Sequence, residues 1–204
     1  MMLSGVILAG GRSTRMGQEK GLTMLSGVPL IVHVSRTVSG IVDETLVSVG
    51  KGRTREYDEI LGKEFIFVED QRDNIGPLEG LARTFRAAAG EYVLVSPCDT
   101  PFLKARLCRL VISRAIGRDG AMPKIGWKYE TLHGAYKREV CLTAFEHALA
   151  KGRLKPRDAL QELDIAYVEE KEIREADPEL ESYRNLNNPE DLRWAEKKLS
   201  SGHV

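Results

Sequence analysis

Short apolar runs alternate with helically spaced segments through the first 117 residues. That alternation admits few architectures. Gly5-Val-Ile-Leu-Ala9 is a continuous apolar run bounded by glycines, the pattern of a strand buried on both faces. Val28 to Ser39 carries apolar residues at 28, 30, 31, 34 and 38, a helical spacing. Thr45 to Val49 and Phe65 to Val68 read as strands. Leu78 to Ala89 is helical, with Gly90 as its expected C-cap. Tyr92 to Val95 reads as a further buried strand, and Leu103 to Ile116 as a helix ending at Gly117. The β-α-β-α-β-α order implies an α/β fold, a mostly parallel sheet with helices on both faces. Ligands of such sheets bind beyond the carboxyl ends of the strands.

Beyond Gly117 the pattern is less regular. Leu132 to Lys137 and Ile165 to Val168 read as strands, and Val140 to Lys151 as a helix. The last helix is well marked: Asn188 at its N-cap, Pro189 first, Glu190 and Asp191 in the first turn, Lys197 and Lys198 in the last. The 204 residues suit one domain, and no linker divides them. Thirty basic and thirty acidic residues give a net charge of +0. That balance argues against a nucleic acid or an anionic membrane as partner. No stretch reaches the roughly 20 apolar residues of a membrane helix. Cys98, Cys108 and Cys141 are odd in number and lack CxxC spacing, so they read as reduced thiols of a cytoplasmic protein. The acid-rich segment from Glu169 to Glu181 reads as a solvated face or loop.

Three motifs carry chemistry. Leu8-Ala-Gly-Gly-Arg-Ser-Thr-Arg-Met-Gly-Gln-Glu-Lys20 follows the first strand directly. Gly10 and Gly11 leave backbone amides open to an anion, and Arg12, Arg15 and Lys20 add cations, a combination suited to a triphosphate. The loop has neither GxxxxGK[ST] nor GxGxxG, so it is neither a P-loop nor a dinucleotide fingerprint. A flexible glycine turn with solvated arginines is the competing reading. In Val95-Ser-Pro-Cys-Asp-Thr-Pro101 an apolar strand delivers Asp99 to its carboxyl end, where a carboxylate can hold Mg²⁺. The competing role for Asp99 is to cap a helix starting near Pro101. In the third, Val68-Glu-Asp70 leads to Gly76-Pro-Leu-Glu-Gly80, with Asp70 just past a strand end and Gly76, Pro77 and Gly80 lining an expected ligand approach. A plain turn into a helix fits that segment equally. Cys98 beside Asp99 is expected to fill space and not to act as a nucleophile. His33 and His147 fall in helical patterns as surface or packing residues, and Arg153, Lys155 and Arg157 form a basic cluster before a helix that suits a phosphate or plain solvent.

LAGGRSTRMGQEKG, VED with GPLEG, PCDTP, ETLHGAY and NLNNPEDLRW stand in an order that resembles the molybdenum cofactor guanylyltransferases. The likeness runs from about Gly5 to Trp194. It implies a Rossmann-like nucleotidyltransferase fold, with a GTP-binding half over about residues 1–117 and an acceptor half over about 118–200. It implies transfer of GMP from GTP to molybdenum-bound molybdopterin with Mg²⁺ as cofactor, the product passing to molybdoenzymes or cofactor-insertion proteins. Leu8, Ala9, Gly10, Lys20, Asp70 and Asp99 match nucleotide contacts of the family, with Asp99 also on the metal. Ser48 stands where an Asn often closes the second strand. His133, Asn185 and Asn187 match the acceptor side. Gly at both 10 and 11 leans toward a purine, because related cytidylyl enzymes tend to carry LAAG. The chemistry of the residues agrees: nucleotidyl transfer needs positioning and charge stabilisation, here from Gly10, Gly11, Arg15, Lys20 and Asp99. A cytidylyltransferase, a sugar-phosphate or cobamide-precursor nucleotidyltransferase, and a non-catalytic nucleotide binder are the competing classes.

Overall fold

A computed structural model describes residues 1–10, 19–71 and 76–201. The chain opens with β1 (Leu3–Leu8), β2 (Met24–Leu25), β3 (Val28–Pro29), α1 (Leu30–Ser39), β4 (Glu44–Val49), α2 (Thr54–Leu61), β5 (Ile66–Glu69), α3 (Pro77–Ala87), β6 (Tyr92–Pro97) and α4 (Ala105–Ala115). It continues with β7 (Gly120–Ile125), β8 (Lys128–Tyr129), β9 (Ala135–Lys137), α5 (Arg138–Ala150), α6 (Pro156–Leu160), β10 (Ile165–Glu169), α7 (Glu170–Ala176) and α8 (Pro189–Ser200). The main sheet runs β10-β7-β9-β6-β1-β4-β5, with β8 hairpinned onto β7. β1 lies at its heart, parallel to β4 and to β6. β5 extends the parallel half beyond β4, and β10 pairs in parallel with β7. Within this sheet, among the described residues, only β9 and β8 run against their neighbours.

Alternate residues of each central strand enter opposite layers, as a period of two requires. Ile7, Val47, Tyr92 and Leu94 meet α1, α2 and α4 through Ile31, Val34, Tyr57, Leu107 and Val111. Val6, Leu8, Leu46, Val93 and Val95 meet α3, α5 and α6 through Leu81, Phe85, Phe145 and Leu160. Helices therefore cover both faces, which is why the strands read as unbroken apolar runs. A third cluster joins Leu25 and Leu30 to Phe102, Leu186 and Ala195. It fastens α8 beneath the first helix and the segment after β6. No helix among the described residues is long and apolar enough to cross a membrane.

Several boundaries differ from expectation. α1 starts at Leu30, because Val28–Pro29 pairs with β2 in a hairpin. α3 is capped at Ala88, not Gly90. Gly90 serves close packing instead, since a Cβ there would lie 2.5 Å from the Ser4 backbone nitrogen. Leu132 to Lys137 divides into a 3-10 turn, Thr131–His133, and the short antiparallel β9. The acid-rich segment is not simply solvated: it forms α7 with a Glu169–Glu172 capping box. Its Asp177 and Glu181 are buried. Lys104 Nζ donates to Asp177 Oδ1 at 2.8 Å, and the Ser182 amide donates to Oδ2 at 2.7 Å. Asp99 caps no helix, because α4 begins only at Ala105 with Lys104 as its N-cap residue.

Candidate active site

The parallel strands bring their carboxyl ends to one edge. β7 shares that direction, because β9 is antiparallel to both β6 and β7. Hydrogen bonds just past the strand ends hold the edge together: Ala9 N to Ser48 O at 2.8 Å, Asp70 N to Val49 O at 2.9 Å, and Cys98 N to Leu8 O at 3.1 Å. Leu8, Ala9, Gly10, Ser48, Asp70 and Asp99 thus share one rim. Gly11, Arg12 and Arg15 lie outside the described residues.

Asp99 is the centre of one polar cluster and is almost wholly buried. Lys20 Nζ donates to its Oδ2 at 2.9 Å and to Asn187 Oδ1 at 2.6 Å. Asn185 Nδ2 donates to Asp99 Oδ1 at 3.1 Å. Lys20 leads a 3-10 turn, Lys20–Leu22, and the preceding Glu19 is steadied by Arg53 at 3.6 Å. The two asparagines arrive from the other end of the chain. Leu186 N donates to Asp99 O at 2.9 Å, and the Leu186 side chain is buried in the third core cluster. With Leu186 facing that core, its two neighbours join the polar cluster, Asn185 on Asp99 and Asn187 on Lys20. Asp191, in the first turn of α8, accepts from Asn187 N at 3.0 Å, while Asn188 caps the helix by accepting from the Glu190 and Asp191 amides. The Leu186 anchor and the Asp191 brace were not anticipated. The apolar residue between two asparagines was the available signal for the first.

A second cluster forms around Asp70. Ser48 Oγ donates to Asp70 Oδ1 at 3.3 Å. A Cβ on Gly10 would stand 2.6 Å from Asp70 Oδ2, and one on Gly80 would stand 2.5 Å from Ser48 Oγ and 3.3 Å from Asp70 Oδ1. The two glycines therefore make room for this carboxylate and hydroxyl. Gly76 takes φ +90° ahead of Pro77, the first residue of α3, and a Cβ placed on it would stand 3.6 Å from the Leu154 carbonyl oxygen. The Arg153–Lys155 segment thus lies beside the start of α3, and the Arg157 guanidinium sits 4.6 Å from the centre of the Tyr129 ring.

His133 is drawn inward rather than presented on the rim. It is 6% exposed and meets Tyr183 edge-on at 5.0 Å. Neither ring nitrogen has a hydrogen-bond partner among the described residues; Glu130 Oε2 is 3.8 Å from Nδ1. Burial pushes its pKa down to about 4, against the opposing pull of the Asp99 charge. Cys98 is equally enclosed. Burial first, and then the neighbouring Asp99 charge, raise its thiol well above the usual range, so it stays protonated and is no nucleophile. Among the described residues no three acid, histidine or cysteine side chains gather as a metal cluster.

The comparisons with known proteins agree with this geometry. Residues 5–167 match the family described as MobA-like NTP transferase domain. The chain is 33% identical to a probable molybdenum cofactor guanylyltransferase of Methanosarcina acetivorans, over 93% of this chain and 88% of that protein. It is 32% identical to the molybdenum cofactor guanylyltransferase of Desulfosudis oleivorans, over 99% and 98%. Among solved structures, molybdopterin-guanine dinucleotide biosynthesis protein A from Archaeoglobus fulgidus superposes with a TM-score of 0.83 at 27% identity, covering 97% of this chain and 99% of its own. With its mostly parallel sheet, its polar rim and a match over residues 5–167, the chain belongs to the MobA-like NTP transferase domain family.

Proposed function

We propose that this chain is a molybdenum cofactor guanylyltransferase, joining GMP from GTP to molybdenum-bound molybdopterin with release of pyrophosphate. The observation that carries the reading is the meeting of Lys20, Asp99, Asn185 and Asn187 at the strand ends, in a chain whose full-length relatives carry that name. The donor set suits Mg²⁺. Asp99 and Asn187 offer hard oxygens, and those oxygens already accommodate the cationic head of Lys20. Bound there, the metal would neutralise charge on the phosphates.

The chain's own groups do the remaining work. The backbone at Leu8 to Gly10 gives a close seat to the triphosphate. Lys20 offsets charge on its oxygens, joined by Arg15 and Gly11 from the segment that follows Gly10. Asp70 and Ser48 face the nucleoside, where a carboxylate accepts from guanine or ribose hydrogens. Gly76, Pro77 and Gly80 shape the approach of the acceptor, Asn185 and Asn187 hold it from the C-terminal side, and His133 supports the wall behind Asp99. The attacking phosphate oxygen of molybdopterin forms a bond to the α-phosphorus as the bond to pyrophosphate breaks, so positioning dominates. The nucleotide belongs to the half up to about residue 117, and the acceptor to the half from about 118 to 200. Three buried thiols without a disulfide support a cytoplasmic setting, where the product passes to molybdoenzymes or insertion proteins.

The test is nucleotide-dependent pyrophosphate release with molybdopterin as acceptor, comparing GTP, CTP and ATP. GTP should be preferred; equal or better use of CTP overturns the guanylyl reading. Asp99→Ala should lower kcat at saturating Mg²⁺ by several kcal/mol, roughly a thousandfold or more, while the circular dichroism spectrum stays that of wild type. Near-normal turnover of that variant would remove Asp99 from the metal role.

A further inference from the structure

Lys20 occupies the oxygens that a divalent cation would need. Its ammonium lies 2.9 Å from Asp99 Oδ2 and 2.6 Å from Asn187 Oδ1, while Asn185 takes Asp99 Oδ1 at 3.1 Å. The lysine side chain keeps 30% of its surface exposed, so it can leave; the Asp99 side chain keeps 5% and cannot follow. Asp99 is also fixed through its backbone carbonyl by Leu186, and Asn187 through its amide by Asp191. The acceptor residues are thus braced through their backbones, and the cation is the exposed partner of the pair.

We infer that Lys20 is a built-in placeholder for the metal, and that metal and triphosphate therefore enter together. The inference rests on the metal role proposed for Asp99. An ammonium and a divalent cation repel each other and compete for the same two oxygens, so neither settles fully while the other is present. A triphosphate resolves the conflict. It gives the lysine new anionic oxygens, with charge-assisted bonds in place of those it gives up. Asp99 and Asn187 are then released to the metal. Metal alone has no such compensation and meets an occupied site. By linkage, the factor by which Lys20 weakens the metal is the factor by which the metal weakens the hold on Lys20. The arrangement also keeps the buried carboxylate paired when the site is empty of nucleotide, which a buried charge requires.

The probe is Mn²⁺ without nucleotide, titrated by electron paramagnetic resonance against the full chain. Four proteins are compared: wild type, Lys20→Met, Asp99→Asn, and Lys51→Met, which removes an equal charge from an exposed position past the end of β4. Lys20→Met should bind Mn²⁺ at least about fivefold more tightly than wild type, Lys51→Met should show little gain, and Asp99→Asn should lose the site. In wild type, modification of Lys20 by an amine reagent, read by peptide mass spectrometry, should quicken with saturating Mg²⁺ alone and slow again when a non-hydrolysable GTP analogue is added. The placeholder role is overturned if Lys20→Met gains no more than Lys51→Met, or if Mg²⁺ leaves the labelling of Lys20 unchanged. The wild-type labelling decides the matter even where Lys20→Met folds poorly. Equal Mn²⁺ binding by all four proteins would overturn the metal role of Asp99 and the placeholder role with it, and the nucleotide comparison above would still stand.

Discussion

A single methyl group is a sensitive probe of the rim. Gly80→Ala would set its Cβ 2.5 Å from Ser48 Oγ, and such overpacking typically costs about 1–3 kcal/mol. The KM for GTP should rise with it. Adding Ser48→Ala removes the nearest clashing oxygen and leaves Ser48 Cβ at 3.5 Å, so the double variant should recover most of the lost thermal stability, while the KM for GTP stays raised because the Ser48 hydroxyl is gone. Strict additivity of the two changes would refute the steric account. His133 offers a second probe, through pH. Its folded pKa lies near 4 because burial disfavours the charged ring, while the unfolded value is about 6.5. The unfolded chain therefore gains a proton first. Stability is full above about pH 6.5 and falls by up to about 3 kcal/mol as pH approaches 4. Thermal melts across that window should slope in wild type and flatten in His133→Asn. Asp99 and Lys20 were legible in the sequence as residue types at strand ends, but their bond was not. Seventy-nine positions separate them, and no local period encodes that pairing. His133 was legible as chemistry but not as location, since the segment reads as a strand from Leu132 and the 3-10 turn carries the ring inside instead.

Periodic elements announce themselves; short ones do not. The strands β1, β4, β5 and β6 and the helices α1, α3 and α4 follow the apolar spacing closely, because both faces of the sheet are covered, whereas α2 went unread because it buries only Tyr57 and Leu61. β7 escaped because Gly120 and Pro123 are poor strand formers, and the strand expected over Leu132 to Lys137 shortens to β9 because its first two residues enter a 3-10 turn. The acid-rich stretch shows the same limit, since counting charges does not say which one is buried. Asp177 ties the end of α7 to the start of α4 through Lys104 and to Ser182. Burial would raise its pKa, but the bonds from Lys104 and Ser182 outweigh it and hold the carboxyl below its usual range. Lys104 is raised, its burial outweighed by Asp177 and Glu181. The carboxylate's contribution is thus present above the ordinary Asp value of about 3.9 and is lost as pH falls through the lower folded value. The lysine's contribution is lost only as pH climbs beyond about 10.4. Near neutrality the pair is intact. Asp177→Ala should destabilise by about 3 kcal/mol at pH 7, the lower part of the range for a broken buried pair, because Lys104 keeps Glu181 at 3.5 Å. Denaturant melts at pH 7 and pH 3 should show the gap between variant and wild type narrowing in acid.

The molecule as a whole carries a net charge of +0, so attraction of an anionic substrate must come from local cations and not from a global field. Its site is also shared between distant parts of the chain. Ending the protein after Arg184 removes Asn185, Leu186, Asn187 and α8 together, and uncovers Leu25, Leu30 and Phe102. Such a truncation should lose nucleotide-dependent Mn²⁺ binding and gain binding of a hydrophobic dye, although the sheet itself lacks none of its strands. Retained Mn²⁺ binding would mean that Asp99 needs no support from the C-terminal segment. The bond between Lys20 and Asn187 spans 167 positions, and this span has a consequence during synthesis. At about 5–20 residues per second, a ribosome needs roughly 10–30 s to travel between them. Over that interval the strands from β4 to β10 are added one after another, while Lys20 waits for its partner Asn187. The cluster around Asp99 therefore closes only when the C-terminal segment has been made, and a chain interrupted before Asn185 lacks both asparagine contacts.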